Sequence, residues 1–279
     1  MENAIAEVKS TVDPIQKMTL PERGALLPIG LGKGGPGQQE FEFKRWNLAR
    51  EKQLGEKRKA LSDTTLGAWT STLLSEMLVK LGPHDFTQMK EPERLLAISE
   101  MWMPDVMYAY CWLRYQAMGW KLSIELECPY HEFKFKWPGD MRTLEIRVPQ
   151  TLTDAQWDFE LEQPFKLRGK ETKRWGLGPV RWSVLESAQL GRRVNFGKLK
   201  SLMIYASIRT LDGEEVALGE DELGEMSKLD LERHVAEIDK HTMGPDLSIE
   251  ACCPHQQCER NFTTSIDWSY ESFFSISSR

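Results

Sequence analysis

The sequence predicts an α+β protein, two small helical lobes set around a β segment, and three observations lead there. Apolar residues recur at helical spacing in two stretches, first Leu66, Trp69, Leu73, Met77 and Leu81, then Leu231, Val235 and Ile238. Between them Leu122, Ile124 and Leu126 alternate, as do Phe133, Phe135 and Trp137, which is the period of a half-buried strand. Two distant cysteine turns, Cys128-Pro-Tyr-His131 and Cys253-Pro-His-Gln-Gln-Cys258, each follow an alternating strand. Together they form a split zinc-ribbon-like element, with a long insertion between its halves.

Residues 1–40 contain Pro14, Pro21, Pro28 and Pro36 and the run Gly30-Leu-Gly-Lys-Gly-Gly-Pro-Gly37, and are expected to form a flexible N-terminal arm. The glycine run is not a phosphate loop. Lys33 is not followed by Ser or Thr, and Pro36 stands where the phosphate-binding helix would begin.

Residues 41–120 form the first helical lobe. Phe41, Phe43 and Trp46 begin it as a short strand, and a charged helix follows over about 48–61. Asp63 or Thr64 is expected to cap the next helix, and Gly82-Pro83 to stop it. A further helix starts near Pro92 and presents Leu95, Leu96 and Ile98. Pro104 breaks or restarts it, with Asp105 in the new first turn, where the helix dipole favours an acid, and Gly119 as a left-handed cap.

Residues 121–180 read as the β segment, with the first Cys/His knuckle and a basic aromatic loop over 149–180. Pro138-Gly139-Asp140 is expected to turn its last strand pair. Residues 181–246 form the second helical lobe, in which Asp212-Gly213 marks a hairpin and Ser227 to Asp230 a capping box. Residues 247–279 hold the second Cys knuckle and an aromatic tail whose Phe273 and Phe274 are candidate partner anchors.

A chain of 279 residues with 41% hydrophobic content can bury a real core. Its formal charge of −6 argues against a protein whose main work is wrapping nucleic acid. The most apolar stretch, Ile98 to Trp120, is interrupted by Asp105 and Arg114, and Met1 to Lys17 lacks the apolar block of a signal peptide. A soluble, cytoplasmic protein is expected. Five cysteines, an odd number, fit metal ligation with leftover thiols better than a disulfide framework. Cys111, on an apolar helical pattern, reads as a buried thiol.

Thiolates and a neutral imidazole suit tetrahedral zinc, and the candidate ligands are Cys128, His131, Cys253 and Cys258. A proline after the first Cys of each turn favours a tight knuckle whose amides point at sulfur. His255 offers an alternative to Cys258 or His131, and Cys252 to its neighbour. Closing a loop of about 120 residues costs on the order of 4 kcal/mol, against roughly 10–16 kcal/mol for structural zinc. The competing reading is of two ordinary strand-end turns.

An open catalytic zinc would keep a water beside an acid such as Glu127 or Glu132, but four protein ligands leave no position for it. His234 and His241 share one helical face and read as surface or capping histidines. No nucleophile elbow and no base for a cysteine nucleophile is recognisable, so the chain is not expected to be an enzyme. Basic and aromatic residues from Arg168 to Trp175 could stack on single-stranded nucleic acid, although Asp154, Asp158, Glu160, Glu162 and Glu171 dilute their charge.

The order Phe43-Lys-Arg-Trp46, Glu51-Lys52, Asp105, Leu113-Arg114, Gly119, a strand ending at Cys128, then Asp140 and Leu144 to Val148 resembles the baseplate assembly proteins of T4-type contractile-tailed phages. The likeness covers about residues 40–150 and is looser beyond 180. Family members often carry paired cysteines where this chain has Cys128 and His131. The resemblance implies a noncatalytic hub or baseplate component or assembly factor. Its partners would be phage hub, baseplate or tail-tube proteins, met in the host cytoplasm during assembly and, where the protein is retained, in the virion tail. Neither nucleic acid nor membrane is an expected partner. A zinc-ribbon nucleic-acid adaptor is the alternative.

Overall fold

Among the described residues helices and strands are mixed, and the strands are divided among five small sheets rather than gathered into one. The computed structural model describes residues 15–32, 37–60, 65–151, 155–187, 202–224, 226–266 and 274. Among these, no helix is long and apolar enough to cross a membrane.

The described part of the expected arm belongs to the body. Strand β1 (Ile15–Thr19) pairs antiparallel with β7 (Glu145–Pro149), and β7 pairs on its other side with β12 (Gly244–Pro245). Pro21 lies in the first turn of the short helix α1 (Leu20–Arg23), where its missing N–H is no loss. Leu20, Leu27 and Ile29 are buried. The prolines and glycines of this stretch are therefore turn and helix-start chemistry, a role composition does not distinguish from a linker.

The first lobe contains β2 (Phe41–Phe43), α2 (Leu48–Ala60), α3 (Leu66–Met77), β3 (Leu78–Leu81), β4 (His84–Asp85), α4 (Glu91–Ser99) and α5 (Met103–Met118). Thr65 caps α3, one residue after the expected Thr64, and accepts from the Ala68 amide. Helix α3 also stops short of Gly82-Pro83. From Leu78 the backbone extends to pair with β2, Phe41 opposite Leu81, and Gly82 at φ +55° turns the chain into β4. Helix α5 opens with Pro104 in its first turn and ends at Gly119, φ +77°, as its sequence signals require.

Two hairpins follow a common plan. β5 (Lys121–Glu127) pairs with β6 (Lys134–Asp140), and β13 (Ser248–Cys252) with β14 (Asn261–Ser265). Pro138-Gly139-Asp140 is not a turn; it continues β6 opposite Ser123, Leu122 and Lys121. β6 pairs with β5 alone, so Pro138 can sit in a strand with a free edge, and the missing side chain of Gly139 leaves room for the Trp137 ring.

The remaining β strands leave the expected β segment. β8 (Trp157–Leu167) and β9 (Lys170–Leu177) form a hairpin extended by β10 (Ile208–Leu211) and β11 (Glu214–Glu215), and α7 (Lys228–Lys240) contacts β8. Residues 181–246 are therefore not a separate helical lobe. Helix α6 (Trp182–Ser187) packs on α3, whereas β10 and β11 complete the four-stranded sheet and Gly244–Pro245 pairs with β7. Asp212 and Gly213, at φ +51° and +88°, make the expected tight turn, and Ser227 caps α7 by accepting from the Asp230 amide.

One hydrophobic cluster joins α1, α3, α5 and both hairpins. A smaller one, Phe159, Leu161, Trp175, Leu177 and Ile208, serves the four-stranded sheet.

Candidate metal centre

The two hairpins bring their turns together. The Sγ atoms of Cys128, Cys253 and Cys258 and a ring nitrogen of His131 all lie within 4.8 Å of one another. Cys128 Sγ is 3.9 Å from Cys258 Sγ, and Cys253 Sγ is 3.6 Å from His131 Nε2. A tetrahedral zinc with bonds of about 2.3 Å to sulfur and about 2.0 Å to nitrogen sets its ligands roughly 3.8 Å (S···S) and 3.5 Å (S···N) apart. The two closest pairs stand near those separations, although His131 and Cys253 are 122 positions apart in the sequence.

The knuckles are built alike. In each, the first cysteine's amide donates across the turn, Cys128 to the Phe133 carbonyl at 2.9 Å and Cys253 to the Arg260 carbonyl at 3.0 Å. The residue after the second ligand is in each case a glutamate with left-handed backbone, Glu132 at φ +58° and Glu259 at φ +45°. That strain, costing on the order of 1 kcal/mol per residue, bends the chain back into the second strand. The second knuckle has two more residues between its ligands than the first, and the extra length is taken up by a turn in which Cys258 donates to the His255 carbonyl at 2.8 Å.

Burial works against ionisation of both first cysteines. At Cys128 it is outweighed by the Tyr130 amide, the neighbouring Cys253 and Cys258 sulfurs and the His131 amide, which hold the thiol below its usual range. At Cys253 burial, joined by Cys128 and Cys258, prevails over the His255 amide and lifts the thiol above that range. A bound dication would favour the thiolate form.

All four expected ligands converge, and the two alternatives do not join them. Strand alternation turns Cys252 outward and Cys253 inward. His255 stands behind the site, its ring 4.9 Å from that of His131 and 5.1 Å from that of Phe133. Cys128 and Cys253 are buried, whereas His131 lies at the surface. Beneath the cluster Phe135 meets Phe262 edge to face at 6.2 Å, so the hairpins also share an apolar seam.

Other expectations end elsewhere. Phe274 is a core residue, stacked on Trp46 at 5.5 Å and edge-on to Tyr110 at 5.3 Å, because its ring completes the main cluster; it is not an exposed anchor. Phe273 lies outside the described residues. Trp175 is 0% exposed within the sheet's own core, and Arg168 pairs with Glu222 at 2.6 Å, so the basic aromatic stretch offers no stacking platform.

His241 caps the end of α7 as expected. His234 is not on the surface. It lies buried between Phe159 and Trp175, with Nε2 3.2 Å from Ser207 Oγ, and burial pushes its pKa down to about 4. Cys111 is buried, as its helical pattern implies, and burial raises its thiol to about 12.

Asp105 has a role that its position in α5 does not announce. Its carboxylate accepts from the amides of Ile29 at 2.8 Å and Gly30 at 2.9 Å, fastening the N-terminal segment to α5. Burial raises its pKa to about 7 against the opposing pull of those amides, Arg23 and Arg181.

Comparison with protein-family models, with curated proteins and with solved structures finds no match in any of the three. The mixed α/β fold and its Cys₃His cluster, which could hold a metal ion, define the class of protein on their own residues.

Proposed function

We propose that this chain is a noncatalytic component or assembly factor of a phage tail hub or baseplate, closed by one structural zinc in a split zinc-ribbon-like element and acting by docking to hub, baseplate or tail-tube proteins. The observation that carries the structural part is the closed ligand set. Three sulfurs and one imidazole within 4.8 Å of one another would fill zinc's four coordination positions and leave no place for an activated water. Cys128, Cys253, Cys258 and His131 would hold the ion, which would supply cross-linking and no chemistry. The phage part rests on the sequence resemblance over residues 40–150. Burial of Trp175 and pairing of Arg168 weigh against the nucleic-acid alternative.

The test is co-purification with tail proteins, with metal measured on the same sample. About one zinc per chain and recovery of hub or tail-tube proteins is expected. Metal-free protein would overturn the clip, and a chain that brings down no tail protein would overturn the docking role. Salt-sensitive binding to single strands would favour the adaptor instead.

A further inference from the structure

The three sulfurs of the cluster are not equally placed for chemistry other than metal binding. Cys128 and Cys253 are 0% and 1% exposed, whereas Cys258 is half-buried, so a small reagent from solvent meets the Cys258 sulfur first. Cys128 Sγ stands 3.9 Å from it, on the other hairpin and 130 positions away in the sequence. A disulfide holds its sulfurs about 2.0 Å apart, so this pair has to close by about 2 Å, a movement on the scale of side-chain rotation.

The other thiols are set apart from the pair. Cys252 is exposed but faces away from the cluster, its Sγ turned to the Cys253 carbonyl at 3.8 Å, and Cys111 is buried in α5. Cys253 shares the second knuckle with Cys258, so a bond between those two would close only a short loop inside one turn.

We infer that Cys128 and Cys258 are a site of reversible disulfide formation, which takes over the cross-link between the hairpins when the chain meets a peroxide. The Cys258 sulfur attacks one peroxide oxygen; the O–O bond breaks, the sulfur becomes a sulfenic acid, and the departing hydroxide takes a proton to become water. The Cys128 sulfur then attacks Cys258 Sγ, forming the S–S bond and expelling a second hydroxide, which is protonated in turn. The two sulfurs lose two electrons in all, and one peroxide is reduced to two waters. Disulfide sulfurs lack the negative charge of thiolates, so Cys253 and His131 are left as two donors where a structural zinc site uses four, and the chain no longer holds the ion.

Oxidation within one knuckle would leave the seam between β5–β6 and β13–β14 open. A Cys128–Cys258 bond spans that seam, and stabilisation by a disulfide grows with the loop it encloses. That a metal is displaced rests on the zinc reading above; the pairing of the sulfurs does not.

The test treats the full chain as purified with equimolar hydrogen peroxide and alkylates the remaining thiols. Linkages are mapped by peptide mass spectrometry, with metal release and amide exchange followed on the same sample. A Cys128–Cys258 linkage and release of the bound zinc are expected, with exchange in β5, β6, β13 and β14 within about twofold of the zinc form. Reductant added together with a chelator should then speed that exchange about tenfold or more. Cys252→Ser should change neither linkage nor release, and Cys258→Ser should abolish the linkage. A Cys253–Cys258 or Cys252–Cys253 linkage, a dimer bridged through Cys252, or oxidised hairpins that exchange as fast as the reduced, metal-free chain would overturn the inference. A chain purified without metal would overturn the zinc reading alone, since its peroxide-treated peptides still show which sulfurs pair, with Cys128–Cys258 expected.

Discussion

The paired hairpins and the four-stranded sheet face the same difficulty and meet it differently. Each is a small β unit with few apolar residues of its own. The hairpins, drawn from the middle and the end of the chain, converge on four metal-ligand atoms and lean on the large core behind them. The sheet has a compact core of its own, centred on Trp175, with α7 against β8 and a neutral histidine sealed beneath. A region assembled from segments more than a hundred residues apart gains most from a strong cross-link, since loop closure is its main entropic cost; the sheet's contiguous β8–β9 hairpin can rely on packing.

The sharpest break of that comparison is metal removal. Chelation or Cys253→Ser should abolish metal retention and forfeit much of the roughly 10–16 kcal/mol apparent binding energy, exposing β5, β6, β13 and β14 to amide exchange while β8–β11 stay protected. The outward Cys252→Ser should leave metal content unchanged. Equal loss of protection in both regions would show that they are not separate units.

The reciprocal test is Trp175→Ala, expected to cost about 3–5 kcal/mol and to loosen the sheet without releasing metal. Differential scanning calorimetry with metal analysis distinguishes this from global unfolding.

Acidity should act on the sheet and on the main body with opposite sign. His234 has an ordinary pKa of 6.5 when unfolded and about 4 when folded, so the unfolded chain binds more protons between those values. The sheet should therefore lose roughly 3 kcal/mol as pH falls from 6.5 to 4. Asp105 runs the other way. Raised from 3.8 to about 7 by burial, it gives the folded state the extra proton, so folding stability should fall as pH rises through that interval even though the Ile29 and Gly30 amides themselves favour the ionised form. Region-resolved amide exchange between pH 4 and 7 reads both slopes, and His234→Leu should flatten only the first.

The smallest effect is expected from Ser227→Ala. It removes the α7 cap and should lower stability by about 1 kcal/mol in denaturant titration.

What could be read from the chain alone was local. The Asp212-Gly213 turn needs two left-handed residues and the α7 cap needs one hydroxyl, and both stand in the sequence next to the elements they serve. The Cys₃His cluster was legible for a different reason, because thiol and imidazole chemistry restricts what such turns can do together.

Long-range pairing was not legible. Nothing in Ile15–Thr19 names β7 as its partner, and β8 looks no less suited to join β6 than β9. Leu81 continues the helical spacing of Leu73 and Met77, and it is pairing with β2 that makes Leu78–Leu81 a strand. His234 has no burial signal of its own, since the rings that cover it come from β8 and β9.

The distance between the ligand pairs has a consequence for biosynthesis. A nascent chain that has emerged only as far as β6 offers an ion two donors, and the grip is complete only when Cys258 leaves the ribosome. Metal retention would then report that the second hairpin has been made, and chains cut short before Cys258 would be open at the hairpin seam and recognisable to proteases.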